Sequence, residues 1–120
     1  MANKIYRNKK IAKAIQENCV CCITQRPYPD PHHIIGHGYS ATGIKAPDWT
    51  QMALTHELHQ ELHNHGWKAF EAKYGRTQKS MVAETLSNLH VMDVIDLNIL
   101  NLEIELPDWL TEEMERLSYE

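Results

Sequence analysis

Histidine residues are the side chains of this sequence best suited to chemistry. His32 and His33 are adjacent, and His59 and His63 follow with three residues between them. On a helix that spacing is about one turn, so both imidazoles would leave the same face. Two imidazoles on one face suit a divalent metal, and a third ligand can come from elsewhere. Adjacent strand residues point to opposite faces, so one of His32 and His33 can reach the metal while the other faces a water. The pattern favours metal-assisted hydrolysis.

The elements that would position these histidines follow from proline, glycine and apolar spacing. Prolines at 27, 29 and 31 keep the preceding segment extended, and a strand is predicted near residues 33–35. Glycines mark a loop that runs as far as Pro47, and residues 52–54 are predicted to form a short return strand. A helix should follow from Thr55, its N-cap, to Asn64, with Gly66 as its stop.

Helices are predicted on both sides of this region. Apolar periodicity predicts them over residues 7–17, 67–74 and 77–97, with a last helix opened by Pro107, whereas residues 98–106 are predicted to be loop or strand. We therefore expect a single domain over residues 1–120 of the α+β class, helix-rich overall. Its core should span about residues 19–75, and a C-terminal helical extension about residues 77–120.

Composition and charge restrict the class further. Hydrophobic residues make up 42% and charged residues 23% of the chain, as in ordinary soluble domains. No apolar run reaches the ~18 residues of a membrane span, and the N-terminus lacks a secretory apolar segment, so we expect a cytoplasmic protein with no membrane partner. The net charge of −4 argues against a strongly basic coat. Basic residues concentrate in residues 1–13 and acidic ones in 103–120, so any phosphate affinity is expected at the N-terminal end and near the metal.

Four stretches of the sequence, taken in order, carry a resemblance to a known family. They are residues 30–38, 42–48, 59–63 and 70–75. In their order and spacing they resemble the HNH (His-Me finger, ββα-metal) endonucleases. More closely, they resemble the small phage and prophage HNH proteins related to recombination-enhancement nucleases. The resemblance covers roughly residues 19–75 and implies a ββα-metal core with flanking helices.

The resemblance also implies roles for single residues. His32, His59 and His63 match the metal ligands, and His33 matches the general base that activates the attacking water. Asp48 falls near the family's middle Asn or Asp, which orients that base. One catalytic divalent metal ion (Mg, Mn, Ni or Zn) and double- or single-stranded DNA are implied, in the cytoplasm of the bacterial host of a phage or prophage. A recombination protein is a further expected partner, and the oligomeric state is left open.

Three cysteines, in the run from Cys19 to Cys22, raise the question of a structural zinc. Related proteins often close such a site with a second cysteine-containing half-site, whose matching positions here are Thr55 and Leu58. Neither is a usual zinc ligand, but His56 is adjacent to the expected position. Cys19, Cys22 and His56 are therefore the candidate structural zinc ligands.

Two loop side chains are candidate phosphate contacts. They are Lys45 and His37, and for each of them a solvated loop side chain is the alternative.

The expected function is metal-dependent cleavage of DNA phosphodiester bonds, in phage recombination or DNA processing. Two alternatives stay open at this point. One is a nuclease-like fold that binds nucleic acid or a protein partner without cutting, and the other is a structural zinc protein that uses Cys19, Cys22 and two histidines. Plasmid nicking and metal content would separate them.

Overall fold

A two-stranded sheet surrounded by helices forms the centre of the molecule. The structure, a computed structural model, describes residues 5–40 and 44–118, so residues 41–43 of the predicted loop lie outside the described residues. Strand β1 (Asp30–His33) pairs antiparallel with β2 (Gln51–Leu54), and His33 lies opposite Gln51. Every residue of β2 is buried, because helices from both sides of it in the sequence pack against it. The α+β class is thereby confirmed.

Six α-helices account for most of the described chain. They are α1 (Lys9–Asn18), α2 (His56–His65), α3 (Trp67–Tyr74), α4 (Gln78–Val91), α5 (Leu97–Ile104) and α6 (Asp108–Ser118). Capping side chains explain where several of them begin: they accept backbone N–H bonds in the first turn of α1, α2, α4 and α5 and belong to Asn8, Thr55, Thr77 and Asp96. Gly66 and Gly75 end α2 and α3 at positive φ, as glycine allows.

Three predictions about local structure are wrong. Residues 98–106 are mostly helical, since α5 spans Leu97–Ile104 behind the Asp96 cap and buries Leu100. The first strand lies at Asp30–His33 and not at residues 33–35, because the chain leaves the ladder after His33. The long helix predicted over 77–97 also ends earlier, at Val91, and Asp93 adopts a positive φ shortly after it.

The core lies between the sheet and the last helices. Helix α4 packs on β2 and on α6, and contributes Met81, Val82 and Leu86 to the core. Leu110 anchors α6 in this core, where Trp109 lies 5.8 Å from Trp49 between ring centroids. Within the described chain, no helix is long and apolar enough to cross a lipid bilayer.

Candidate active site

Strand β1 and helix α2 bring three imidazoles together. His32 is 4% exposed on β1, and His59 and His63 lie on one face of α2. One ligand nitrogen from each lies within 4.8 Å of the other two, which makes this the one group of three or more metal-competent side chains found in residues 5–40 and 44–118. The three predicted metal ligands are thus neighbours in the structure.

His32 presents a nitrogen that is buried and has no partner. Its Nδ1 contacts the backbone carbonyl oxygen of His33, which retains the proton on Nδ1 and leaves Nε2 as a lone pair. That Nε2 atom is buried without a hydrogen-bond partner. Burial, followed by the charge of His59, lowers the pKa of His32 to about 4, so the ring is neutral at pH 7. A buried lone pair without a donor is costly, and a cation would satisfy it.

The two helical imidazoles complete a donor set of three nitrogens. The Nε2 atoms of His59 and His63 lie 3.1 Å apart. His59 Nδ1 lies 3.4 Å from Asp30 Oδ2, so Nδ1 can donate to the carboxylate and leave Nε2 as a ligand. Nitrogens that share an ion at about 2.1 Å are roughly 3–3.5 Å apart, so modest ring rotations suffice. The residues present therefore fit a divalent ion held by three imidazoles.

His33 meets Asp48, as the predicted pairing requires. The loop between the strands ends in a short 3₁₀ helix (Asp48–Thr50), which carries the carboxylate back to the end of β1. His33 Nε2 lies 2.9 Å from Asp48 Oδ1. A carboxylate accepts, so Nε2 holds the proton and Nδ1 is left as a lone pair. His33 can therefore accept a proton at Nδ1.

A cleft of about 330 Å³ opens over these histidines. His32 and His33 both line it although they alternate along β1, together with His59 and His63. Lys45 is exposed and also lines the cleft, in keeping with a phosphate contact. The remaining walls are mostly apolar, as in many ligand sites: Pro31, Ile34, Ile35, Ser40 and Ala46.

His37, the other predicted phosphate contact, is not among the side chains that line the cleft. Its ring packs against Trp67, with the centroids 4.5 Å apart. Trp67 approaches this closely because Gly36 has no side chain: a Cβ there would lie 1.9 Å from Trp67 Nε1. His37 therefore packs against Trp67. Its Nε2 atom is buried without a hydrogen-bond partner among the described residues, so the phosphate contact of His37 stays a prediction.

Cys19, Cys22 and His56 do not form the predicted zinc group. Cys19 is buried in the cluster around Ile15, and Cys22 Sγ lies 3.8 Å from the carbonyl oxygen of Met81. The His56 side chain is 70% exposed and points its Nδ1 at Asp30, 3.0 Å away. These three side chains are not a metal-competent group among the described residues.

Thr55 and Leu58, the positions of the expected second half-site, stabilise the fold instead. Thr55 Oγ1 accepts the N–H of Leu58 at 3.3 Å and so caps α2. The Leu58 side chain is buried in the main core. A helix cap and apolar packing thus stand where zinc ligands would be needed, which is the physical reason for the correction.

Sequence reasoning missed two residues of the site. Asp30 accepts from His56 at 3.0 Å and from His59 at 3.4 Å, and these bonds, chiefly the one from His56, lower the pKa of its carboxyl group. Its position two residues before His32 on the same strand was a usable signal. Arg7 reaches Asp48 from the N-terminal side, with Nη1 3.4 Å from Oδ1, and no local pattern in the sequence points to that contact.

This site occurs in a chain whose family is known. The family model described as "Protein of unknown function (DUF968)" matches residues 3–92. The chain therefore belongs to the DUF968 family. The match ends just after α4, so α5 and α6 lie outside the matched region.

A curated relative shares part of this region. The chain is 47% identical over 57 residues to the uncharacterized protein YdfU of Escherichia coli (strain K12). The match spans 48% of this chain but only 16% of YdfU, so it covers a small part of that protein. No solved structure matches the chain.

Proposed function

We propose that this protein is a metal-dependent HNH (ββα-metal) endonuclease that hydrolyses DNA phosphodiester bonds, in phage recombination or DNA processing. One observation carries the proposal. The buried, partnerless Nε2 of His32 faces the two imidazoles of α2, while His33, which is hydrogen-bonded to Asp48, lines the same cleft. Strand β1 and helix α2 carry the four histidines, and the 3₁₀ helix before β2 carries Asp48.

The three imidazoles support a resident divalent ion. His32, His59 and His63 would hold it, and imidazole ligands favour Zn or Ni over Mg, with Mn a further candidate. When bound, such an ion supplies positive charge beside the phosphate oxygens that gain negative charge. Three protein ligands leave positions open for substrate and water, which favours a catalytic over a structural site.

His33 supports a reaction in which water attacks phosphorus. With the proton fixed on Nε2 by Asp48, the Nδ1 lone pair can take a proton from the attacking water. Asp48 then faces the imidazolium that forms and stabilises its charge. In this pair His33 accepts the proton, and Asp48 orients the His33 ring and stabilises the imidazolium.

Positive charge lies on one side of the cleft, where a phosphate backbone would approach. Lys45 is exposed at the cleft, and its backbone carbonyl accepts from the guanidinium of Arg7 at 2.9 Å. Helix α1, which follows Arg7, carries three more exposed lysines, Lys9, Lys10 and Lys13. Lys13 lies 4.0 Å from Glu17 on the same helix. Lys9 and Lys10 lie at the start of a helix that has no acidic residue in its first turn, and positive charge there favours a phosphate partner.

Plasmid cleavage tests the proposal. Supercoiled DNA is incubated with the protein and Mg²⁺, Mn²⁺, Ni²⁺ or Zn²⁺, and we expect nicked or linear products that EDTA abolishes. His63→Ala should abolish them too, since it removes a ligand without touching His33. If the metal-loaded protein retards DNA but makes no new ends, a binding module is the better description. If the protein neither binds nor cuts DNA or RNA, a structural metal protein is the better description.

A further inference from the structure

We propose that Arg7 is a positioning residue of this site. The N-terminal clamp, defined here as residues 6–8, fixes the carboxylate of Asp48 and through it the imidazole of His33. The catalytic meaning of this positioning rests on the proposed function, because that function makes His33 the proton acceptor. The positioning itself is a property of the metal-free protein and can be measured without activity.

Three consecutive residues of the clamp contact Asp48. The N–H of Asp48 donates to the carbonyl oxygen of Tyr6 at 3.0 Å. The N–H of Asn8 donates to Oδ2 at 2.8 Å, and Arg7 Nη1 approaches Oδ1 at 3.4 Å. Oδ1 is also the oxygen that His33 contacts. Both carboxylate oxygens are therefore occupied, and the group cannot rotate without losing a partner.

The guanidinium of Arg7 does more than neutralise the carboxylate. Its Nη1 donates to the carbonyl oxygen of Ala46 at 2.6 Å, and its Nη2 donates to that of Lys45 at 2.9 Å. Both of these residues line the cleft. The planar fork thus ties the wall of the cleft and the carboxylate of Asp48 to one rigid group. A lysine has a single ammonium and cannot reproduce that fork.

The exposure of the two side chains fits this role. The Asp48 side chain is 17% exposed, so it is largely withdrawn from water, while the Arg7 side chain is 43% exposed. A surface ion pair of this openness adds little to stability. Three aligned donors on one partly buried carboxylate are better explained by orientation than by stability.

Orientation of the carboxylate decides the tautomer of His33. While Oδ1 faces Nε2, the proton stays on Nε2 and Nδ1 remains a lone pair. Without the guanidinium the carboxylate can turn, Nε2 loses its aligned acceptor, and some molecules carry the proton on Nδ1. Those molecules cannot accept a proton from water at that atom. The loss falls on turnover, because the three metal ligands are untouched.

Nitrogen-15 NMR of the metal-free protein tests the positioning directly. At about pH 8, where free imidazoles are neutral, the His33 signals, assigned by comparison with His33→Gln, should report the Nε2–H tautomer. Arg7→Met should give mixed tautomers, and Arg7→Lys an intermediate result. Arg26→Met, which alters an exposed arginine outside the clamp, should match the parent. A folded Arg7→Met with the parent's His33 signals would overturn the proposal.

Kinetics with saturating metal provide the second readout. Arg7→Met should lower kcat by roughly 10–100-fold, the usual effect of an outer partner, while metal affinity stays at the parental value and any rise in KM is smaller than the loss in kcat. If Arg7→Met does not fold, Arg7→Lys decides, and a parental tautomer and kcat in that variant contradict the proposal. If Arg7→Met changes the His33 tautomer but the parent cuts no DNA, the positioning role of Arg7 is supported and the proposed function is contradicted. If the parent cuts DNA and the Arg7 variants match it in tautomer and kcat, the proposed function is supported and the positioning role is contradicted.

Discussion

His33 Nε2 lies 2.9 Å from Asp48 Oδ1 across 15 positions of sequence and the whole loop between the two strands. His59 has a similar relationship with Asp30, at 3.4 Å between Nδ1 and Oδ2. In each pair a carboxylate occupies one ring nitrogen, so the other nitrogen is free to act. For His59 that nitrogen is the candidate metal ligand, and for His33 it is the candidate proton acceptor.

Replacing either helical imidazole should remove the metal. His59→Ala and His63→Ala each delete one of three ligands, so calorimetric titration with Zn²⁺ or Ni²⁺ should show a loss of tight binding. His65→Ala is the matched control, since His65 is exposed on the same helix and lies outside the ligand group. Unchanged affinity in both ligand variants would count against the site.

Asp30 should increase the affinity of the same site for its metal by orienting the ring of His59. Asp30→Ala removes the acceptor that orients the ring, and outer carboxylates of this kind contribute roughly 10–100-fold in metal affinity. Asp30→Asn retains an acceptor oxygen and should lose less. Glu57→Ala, an exposed acid in the first turn of α2, controls for the loss of negative charge near the site. Equal metal affinity in Asp30→Ala and Glu57→Ala would show that Asp30 has no orienting role.

Stability of the metal-free protein should fall as the pH drops from about 6.5 to about 4. Burial lowers the pKa of His32 to about 4, whereas in the unfolded chain it returns to about 6.5. Between these values the unfolded state binds more protons, so acid favours unfolding. At the usual ~1.4 kcal/mol per unit, the full loss is of the order of 3 kcal/mol.

Urea unfolding in EDTA across that pH range measures the effect. The parent must be compared with His32→Gln, which lacks the imidazole, so that the contribution of every other titratable group is common to both proteins. We expect the parent to lose more stability than the variant between neutral pH and about pH 4. Parallel pH profiles for the two proteins would refute the coupling between His32 burial and stability.

The histidine pattern and the boundaries of α2 and α3 were the parts of the structure that local sequence could predict. The turn spacing of His59 and His63, the Thr55 cap and the Gly66 and Gly75 stops all act within a few residues. Such signals can be recognised in sequence because their physical cause is local. Helix α3 accordingly ends before Gly75, as predicted.

The parts that could not be predicted depend on contacts far apart in sequence. The contact between Arg7 and Asp48 joins positions separated by 41 residues, and the sequence around either residue does not predict it. The packing of His37 against Trp67 over Gly36 is likewise a tertiary contact, which the sequence around His37 does not indicate. Helix α5 was missed because its weakly periodic sequence is helical through the Asp96 cap and the burial of Leu100.

The cysteines should bind no second metal. Burial, with a further contribution from Glu84, raises the pKa of the Cys22 thiol to about 12, so it stays protonated and unreactive. Cys19 is 6% exposed and Cys21 is 0% exposed. A disulfide-exchange reagent should therefore react slowly with the native protein at pH 8 and fast in urea.

Zinc analysis should give one equivalent in the parent and almost none in His63→Ala. A zinc that survives His63→Ala but is lost in Cys22→Ser would restore the structural site.

Plasmid nicking by the parent and His33→Ala, both saturated with metal, tests the proposed hydrolysis most directly. His32, His59 and His63 are unchanged in the variant, so both proteins should bind metal and DNA equally. The parent should nick the plasmid, and His33→Ala should do so more slowly by roughly 10²–10⁴-fold, the usual contribution of a positioned base. The proposed mechanism is contradicted if His33→Ala cuts as fast as the parent. The proposed function is contradicted if the metal-saturated parent leaves the plasmid uncut.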